Sequence, residues 1–484
     1  MEGQQLRKQT ARGARWSVAE RFSGQSVTFV VIIFMSRLLS QEDFGLVGML
    51  VIFMDVAQAL ADGGVSQALI RKNDRTASDC STAFFVNVAI SGIMYVLLFF
   101  TAPVIARFYG HTELVILTRI LSLCILCNAL MMVQQAVMTA SMDFRTQAKA
   151  TMISAVIGGI VGIAAAYLGA GVWAIVACQL VRSMTNCISL WMMSSWRPSF
   201  TFSMASLRYF GRFGVNLTVA GVMHTIYKDL YPLIIGKFFQ AASLGLYTRA
   251  AQFSEFPSNN LNAVLQRVLY PAMCMVREKD ERLRCIFQRF LRMVAFIVLP
   301  VMTVICSLSD PIVVCLVGEK WAYAGRLLAI LSLSVMWIPI DTLNLSLLQV
   351  KGRTDRYLRC EIIKKIWGVA VLVVTLPFGL EALCWGQVIR TVFDLAVGMY
   401  YGGRMAGVSV LRQIMEIVPA ILVSAVMAVS TCFCIGFINN GWMRLAIGVG
   451  VSAVIFIVMI RLIAPDILSE IKYLLFKRNN GLMA

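Results

Sequence analysis

Charge is scarce in this sequence. Only 14% of its 484 residues are charged, against about a quarter in an ordinary soluble domain. Histidine is nearly absent: His111 and His224 are the only two. They are too few for a His-based metal site and lie too far apart for a clustered catalytic set. No G-x-x-x-x-G-K-[ST] stretch occurs, which excludes ATP hydrolysis of the P-loop type. No cofactor motif is present. Acidic residues are fewer than basic ones, 25 against 43, for a formal net charge of +18. No aromatic-rich basic patch accompanies that excess, so it does not call for nucleic acid. Lys and Arg also gather in the cytoplasmic loops of membrane proteins.

What the chain has in abundance is apolar surface, 59% of its residues, which needs lipid as its solvent. The thirteen cysteines fit that setting. Cys306, Cys315 and Cys384 sit inside apolar runs, as do Cys124-Ile-Leu-Cys127 and Cys432-Phe-Cys434. No second pair or His completes a metal site, and each thiol acts as a small hydrophobe. Arg7, Lys8, Arg12 and Arg15 precede a long apolar run with no small-residue cleavage site, so the first helix is expected to stay as an anchor.

A crossing takes about 20 residues. By that rule the sequence predicts an all-α membrane protein of about fourteen spans, centred near Val27, Met54, Val96, Ala129, Gly159, Val181, Val222, Ser254, Val301, Ser334, Val371, Ala396, Ser424 and Val451. Basic residues alternate with these spans. One side carries Arg71/Lys72/Arg75, Arg145/Lys149, Arg197/Arg208/Arg212, Arg277/Lys279/Arg282/Arg284, Lys351/Arg353/Arg356/Arg359, Arg404/Arg412 and the tail Lys472, Lys477 and Arg478. The other shows scattered Arg37, Arg107, Lys237, Lys320 and Arg444. The asymmetry predicts a multi-pass membrane protein with both termini cytoplasmic. Gly158-x-x-x-Gly162 in the fifth span is read as a helix contact.

The chain also repeats itself. A shift of 200 lays Ser36-Arg37-Leu38-Leu39-Ser40-Gln41-Glu42-Asp43-Phe44-Gly45-Leu46 over Gly236-Lys237-Phe238-Phe239-Gln240-Ala241-Ala242-Ser243-Leu244-Gly245-Leu246. A shift of 208 pairs Pro103 with Pro311, Gly110 with Gly318, Gly171 with Gly379, Ala174 with Ala382, Gln179 with Gln387 and Arg182 with Arg390. Spans one to six therefore recur as seven to twelve. The expected organisation is two parallel six-helix lobes, 1–200 and 201–405, around a central cavity, with a trailing helix pair and tail at 406–484. Transporters built from such repeats bind substrate between the halves and alternate access by rocking them.

Polar residues inside spans are costly, so they mark candidate function. In the eighth span Gln252, Glu255, Asn259, Asn262 and Gln266 share one helix face. The duplicated second span matches it: Asp55 aligns with Glu255 and Asp62 with Asn262. Such carboxylates either line a hydrated cleft, where they can bind or relay H+ or Na+, or pair with a basic neighbour. Pro257 is a candidate hinge, because it removes a backbone donor. Arg21 and Gln25 in the first span, with Arg249 and Arg267 near the ends of the eighth, offer guanidinium groups to an anionic substrate. Arg21 and Arg267 could equally snorkel to the interface. Lys228-Asp229 lie in the seventh span; adjacent residues do not face one another on a helix, so the pair would be neutralised through neighbours.

Several pieces together resemble the Wzx-type polysaccharide flippases, in the colanic-acid-exporter-like branch of the multidrug/oligosaccharidyl-lipid/polysaccharide (MOP) superfamily. They are Gly13-Ala14-Arg15-Trp16-Ser17, Phe44-Gly45-Leu46, Asp62-Gly63-Gly64 with Arg71-Lys72, Arg267-Val268-Leu269-Tyr270-Pro271 and Gly318-Glu319-Lys320-Trp321. The resemblance implies fourteen helices with two six-helix lobes arranged as a V. It implies export of an undecaprenyl-pyrophosphate-linked oligosaccharide by ion-coupled alternating access, with polysaccharide assembly machinery as partner. The rival within the superfamily is a multidrug or peptidoglycan-precursor (lipid II) transporter. The rival from another class is a membrane polysaccharide polymerase or transferase, which the short external loops and separated histidines disfavour.

Overall fold

The computed structural model describes residues 24–72 and 74–463. Arg21, the Gly13–Ser17 stretch and both basic termini lie outside them. Among the described residues all regular structure is helical, as hydrocarbon demands: a helix satisfies its own backbone donors and acceptors where water cannot.

Among the described residues nineteen α-helices follow one another. The first nine are α1 (Gly24–Leu38), α2 (Gln41–Asp62), α3 (Val65–Arg71), α4 (Ala77–Tyr109), α5 (Leu114–Leu121), α6 (Leu123–Ala140), α7 (Phe144–Tyr167), α8 (Val172–Met193) and α9 (Met204–Lys228). Then come α10 (Leu230–Phe238), α11 (Ala241–Met275), α12 (Asp280–Ser307), α13 (Ser309–Val317), α14 (Ala322–Val335) and α15 (Ile338–Val350). The last are α16 (Thr354–Thr375), α17 (Leu380–Ala406), α18 (Val410–Gly436) and α19 (Gly441–Ile463). Each of the fourteen predicted centres falls in a different helix. Nine stretches among the described residues are long and apolar enough to cross a membrane. α11 and α16 are not among them, because the amides and carboxylate of the one and the charges of the other, such as Glu361 and Lys364, dilute their apolar content.

Sequence chemistry sets the helix ends. Ser40 with Asp43 and Thr76 with Asp79 form capping boxes at the starts of α2 and α4, each satisfying backbone donors left free in a first turn. Gly63 and Gly64, at φ +52° and +65°, end α2 and start α3. Matched positions of the repeat hold matched places. Gly110 and Gly318 follow the last residues of α4 and α13 with φ of +81° and +102°. Gly171 and Gly379 precede α8 and α17 with φ of +55° and +96°. An L side chain at any of these would be strained.

The chain forms two compact units, Met1–Thr248 and Arg249–Ala484. In the first, Val65, Leu69, Phe84, Val133 and Phe210 build a core from α3, α4, α6 and α9. Gly158 and Gly162 of α7 lie directly on Cys178 and Arg182 of α8, so the G-x-x-x-G motif is a helix contact. The closest approach is at the start of α2. A Cβ on Gly45 would overlap the carbonyl oxygen of Ala241, and one on Gly245 would overlap that of Gln41. These four residues are two pairs related by the 200-residue shift. Each copy supplies one glycine and one carbonyl, an isologous contact of the kind a two-fold axis generates. The second unit packs Leu269, Phe287, Leu291, Phe296, Leu343 and Val423 from α11, α12, α15 and α18.

Gly45→Ala and Gly245→Ala are each expected to destabilise the protein by about 1–3 kcal/mol, the usual cost of overpacking. Gly92→Ala, where the added methyl meets open space, should be neutral or better. Thermal unfolding of the purified protein checks all three; equal melting temperatures for Gly45→Ala and Gly92→Ala would contradict the crossing.

Candidate functional site

α11 runs unbroken through Pro257 and Pro271. Its two faces differ. Ser254 and Ser258 are fully buried, and the Ser258 hydroxyl donates to the carbonyl of Val335 at 3.0 Å. Leu265 and Leu269 continue that packed side. On the other side Glu255 and Asn259 are exposed, and Gln252 and Asn262 half-buried. Gln266, also half-buried, accepts a hydrogen bond from Ser346 at 3.0 Å. The Asn262 side-chain oxygen is buried without a hydrogen-bond partner. The predicted stripe thus lies on the less buried face of α11, exposed at Glu255 and Asn259 and half-buried at its other three residues. Arg249 is half-buried and Arg267 exposed, near the two ends of the stripe.

In the first unit, Asp55 on α2 is paired. Its carboxylate accepts from Lys228 Nζ at 3.1 Å. The same ammonium lies 3.5 Å from Asp229 Oδ1. Lys228 and Asp229 meet because the seventh span is broken at this point: α9 ends at Lys228, α10 begins at Leu230, and Asp229 is the junction with φ −95° and ψ 10°. The helix break brings these two neighbours within 3.5 Å of each other, while Lys228 finds a partner on another helix, Asp55, as expected of adjacent residues that do not face one another. Asp62, at the end of α2, and Gln25 in α1 are both half-buried, and the Gln25 carbonyl oxygen is buried without a hydrogen-bond partner.

Sequence reading passed over a second group of charges. Lys364 on α16 is 5% exposed, and its ammonium donates to both oxygens of Asp341 on α15 at 2.7 Å each. Gly398 on α17 adjoins the pair; a Cβ there would overlap Asp341 Oδ1. One turn earlier on α17, Asp394 lies 3.9 Å from Arg390. Their signal was an ionisable residue inside an apolar run, the same rule that picked out Asp55. A third buried charge is a fastener. Asp79 accepts from Lys72 and from the Ser206 hydroxyl, both at 2.6 Å, and caps its own helix through Thr76. Ser199 and Ser203 bond Ser81 and Thr82 beside it at 3.0 and 2.9 Å. The linker between α8 and α9 is thereby tied to the start of α4.

The second unit also holds a cavity of about 510 Å³ among α11, α12, α18 and α19. Leu265, Leu269, Ile297, Pro300, Val449 and Phe456 line it, and the one lining hydroxyl, Ser452, is bonded to Thr431 at 2.7 Å. Such a wall offers nothing to water and suits a hydrocarbon chain. All thirteen cysteines are free, and no cluster of metal-ligating side chains occurs among the described residues.

A long polar face, ion pairs held within the helical bundle and a dry cavity define a membrane transporter fold rather than a receptor for a soluble ligand. Solved structures of that class match it. Lipid II flippase MurJ, in an inward closed conformation, superposes with a TM-score of 0.75 over 96% of this chain and 100% of that one, at 14% identity. An inward-facing multidrug resistance MATE family transporter of the MOP superfamily gives 0.62 over 79% and 94%, at 19% identity. At these identities the likeness shows the fold. Sequence comparison gives the family: the model for polysaccharide biosynthesis proteins matches residues 34–326, and the chain belongs to that family. Relatives include the teichuronic acid biosynthesis protein TuaB of Bacillus subtilis, 25% identical over 96% of this chain and 98% of that protein. The succinoglycan biosynthesis transport protein ExoT of Rhizobium meliloti is 26% identical over 68% and 66%. The lipopolysaccharide biosynthesis protein WzxC of Escherichia coli is 24% identical over 76% and 75%.

Because Asp341 and Lys364 are both dehydrated, Lys364→Met should cost about 3–5 kcal/mol by stranding a carboxylate. Asp341→Leu combined with Lys364→Met should recover most of it. Folded yield and thermal unfolding of the single and double variants measure this, and a double variant no better than the single would show that the pair is not the cause.

Proposed function

We propose that the protein carries an undecaprenyl-pyrophosphate-linked oligosaccharide across the bacterial inner membrane, from cytoplasmic to periplasmic leaflet, by alternating access. The observation that carries the reading is the polar, less buried face of α11. Gln252, Glu255, Asn259 and Asn262 present amides and a carboxylate along a membrane helix, and amides of this kind hydrogen-bond sugar hydroxyls as both donors and acceptors. Arg249 and Arg267, at the ends of that face, are cations that could meet a pyrophosphate. The apolar cavity of the same unit accommodates hydrocarbon of the kind a polyprenyl carrier brings.

The named roles of TuaB, ExoT and WzxC in polysaccharide biosynthesis support a saccharide cargo over a drug or lipid II. No covalent bond need be made or broken in such a task, so the protein acts as a transporter and not as an enzyme. Without a P-loop motif, the driving force is an ion gradient, H+ or Na+. The basic loops favour cytoplasmic termini. Pro257 serves as the hinge at which α11 bends, and polysaccharide assembly enzymes are its partners.

Asp55→Ala with Glu255→Ala is expected to cut surface polysaccharide at least about tenfold, the loss of about 1.4 kcal/mol in binding or turnover, while membrane insertion stays intact. The assay is complementation of a strain lacking its own exporter; normal polymer at normal protein level refutes the assignment. Arg249→Ala should weaken binding of a pyrophosphate-linked lipid to the purified protein by a similar factor, and unchanged binding would remove Arg249 from the substrate path.

A further inference from the structure

We propose that Asp229, at the break in the seventh span, is a proton-binding site, and that its proton decides which carboxylate Lys228 holds. The inference rests on the transporter reading for its purpose but not for its existence.

Three charged groups meet at the break, two carboxylates and one ammonium. They are not equivalent. Asp55 has 42% of its side chain exposed, Lys228 59%, and Asp229 only 5%. Yet the lysine sits closer to the exposed carboxylate, 3.1 Å against 3.5 Å. The buried one is left with a long contact on Oδ1, and its Oδ2 is enclosed without a hydrogen-bond partner. An ionised carboxylate so placed is poorly compensated, whereas a neutral carboxyl is tolerated there.

No other charge among the groups named here relieves Asp229. α2 faces it with Asp55 alone. α9 contributes Lys228 and, one turn back, the exposed His224. α10 brings Tyr231, and α4 brings Tyr109, which packs at Gly236 two turns further along α10. A metal cation would need several oxygen ligands, and Lys228 already lies between the two carboxylates that meet at the break. A proton needs one oxygen.

The two protonation states then differ in which helices are tied. With the proton on Asp229, Lys228 bonds Asp55 and joins α9 to α2, the arrangement described above. When the proton leaves to water, the ionised Asp229 draws the ammonium to itself. Asp55, half-exposed, is left to water. The tie between α2 and α9 is lost, and the break closes on its own charge pair. The same lysine thus links proton release to the freedom of the seventh span.

Infrared difference spectroscopy on the full chain in nanodiscs, titrated with pH and without any substrate, tests this. Wild type minus Asp229→Asn should show the carbonyl stretch of a protonated carboxyl near neutral pH, fading as pH rises. Lys228→Gln should move the midpoint of that band upward by about one pH unit or more, tenfold in proton affinity, because the competing cation is gone. Asp55→Asn should move it downward, because Lys228 is released to Asp229. Absence of the band from wild type, its persistence in Asp229→Asn, or shifts of the same sign in Lys228→Gln and Asp55→Asn would overturn the proposal. If Asp229→Asn fails to fold, the opposed shifts of the other two variants decide it. The export assay above reads cargo separately, so an absent band with export normal in wild type would refute the proton site and leave the transport reading standing.

Discussion

Hydrocarbon offers no hydrogen bond, and almost everything in this chain follows from that. It makes all regular structure among the described residues helical. It favours buried polar side chains that find a partner within the protein, as Asn87 does on the carbonyl of Ala61 at 2.8 Å and Thr431 on Ser452. Where such a partner is missing or the polar group faces outward, some other requirement has overridden economy.

The charged groups sort themselves by that criterion. Asp79 and Asp341 are structural: each is dehydrated, each meets its lysine at under 3 Å, and each ties two or more segments together. The break at Asp229 and the stripe on α11 have a different character. One shares a single lysine between two acids of unequal burial, and the other lays amides and a carboxylate along the less buried face of its helix. A protein selected for stability alone would have filled these positions with leucine. A member of a polysaccharide biosynthesis family, with a relative named for transport, has reason to keep them polar.

Much of this was legible before any coordinates. The all-helical fold follows from run length, since a span must be apolar for its full length, and each expected centre falls in a helix; the turn glycines were legible because a positive φ all but requires glycine. The face of α11 was legible because five polar residues at helical spacing leave no other arrangement. What escaped reading was whatever depends on partners distant in sequence. Asp341 and Lys364 are 23 residues apart and on different helices, and no periodicity links them. The pairing of Asp55 with Lys228 spans 173 residues. The meeting of Lys228 with Asp229 required a helix break whose signal, Pro232 in the first turn of α10, was passed over: it has no N–H to offer the carbonyl of Lys228. Arg21 lies outside the described residues, so its place in the bundle was not observed.

The crossing of Gly45 and Gly245 bears on how such a chain can change over generations. Duplication usually frees one copy to drift while the other preserves the original task. Here each copy holds the carbonyl against which the other's glycine is pressed, so neither copy is redundant. A substitution in the first half is judged by the backbone of the second, and the reverse. The two halves, though diverged almost beyond recognition elsewhere, inherit this position jointly.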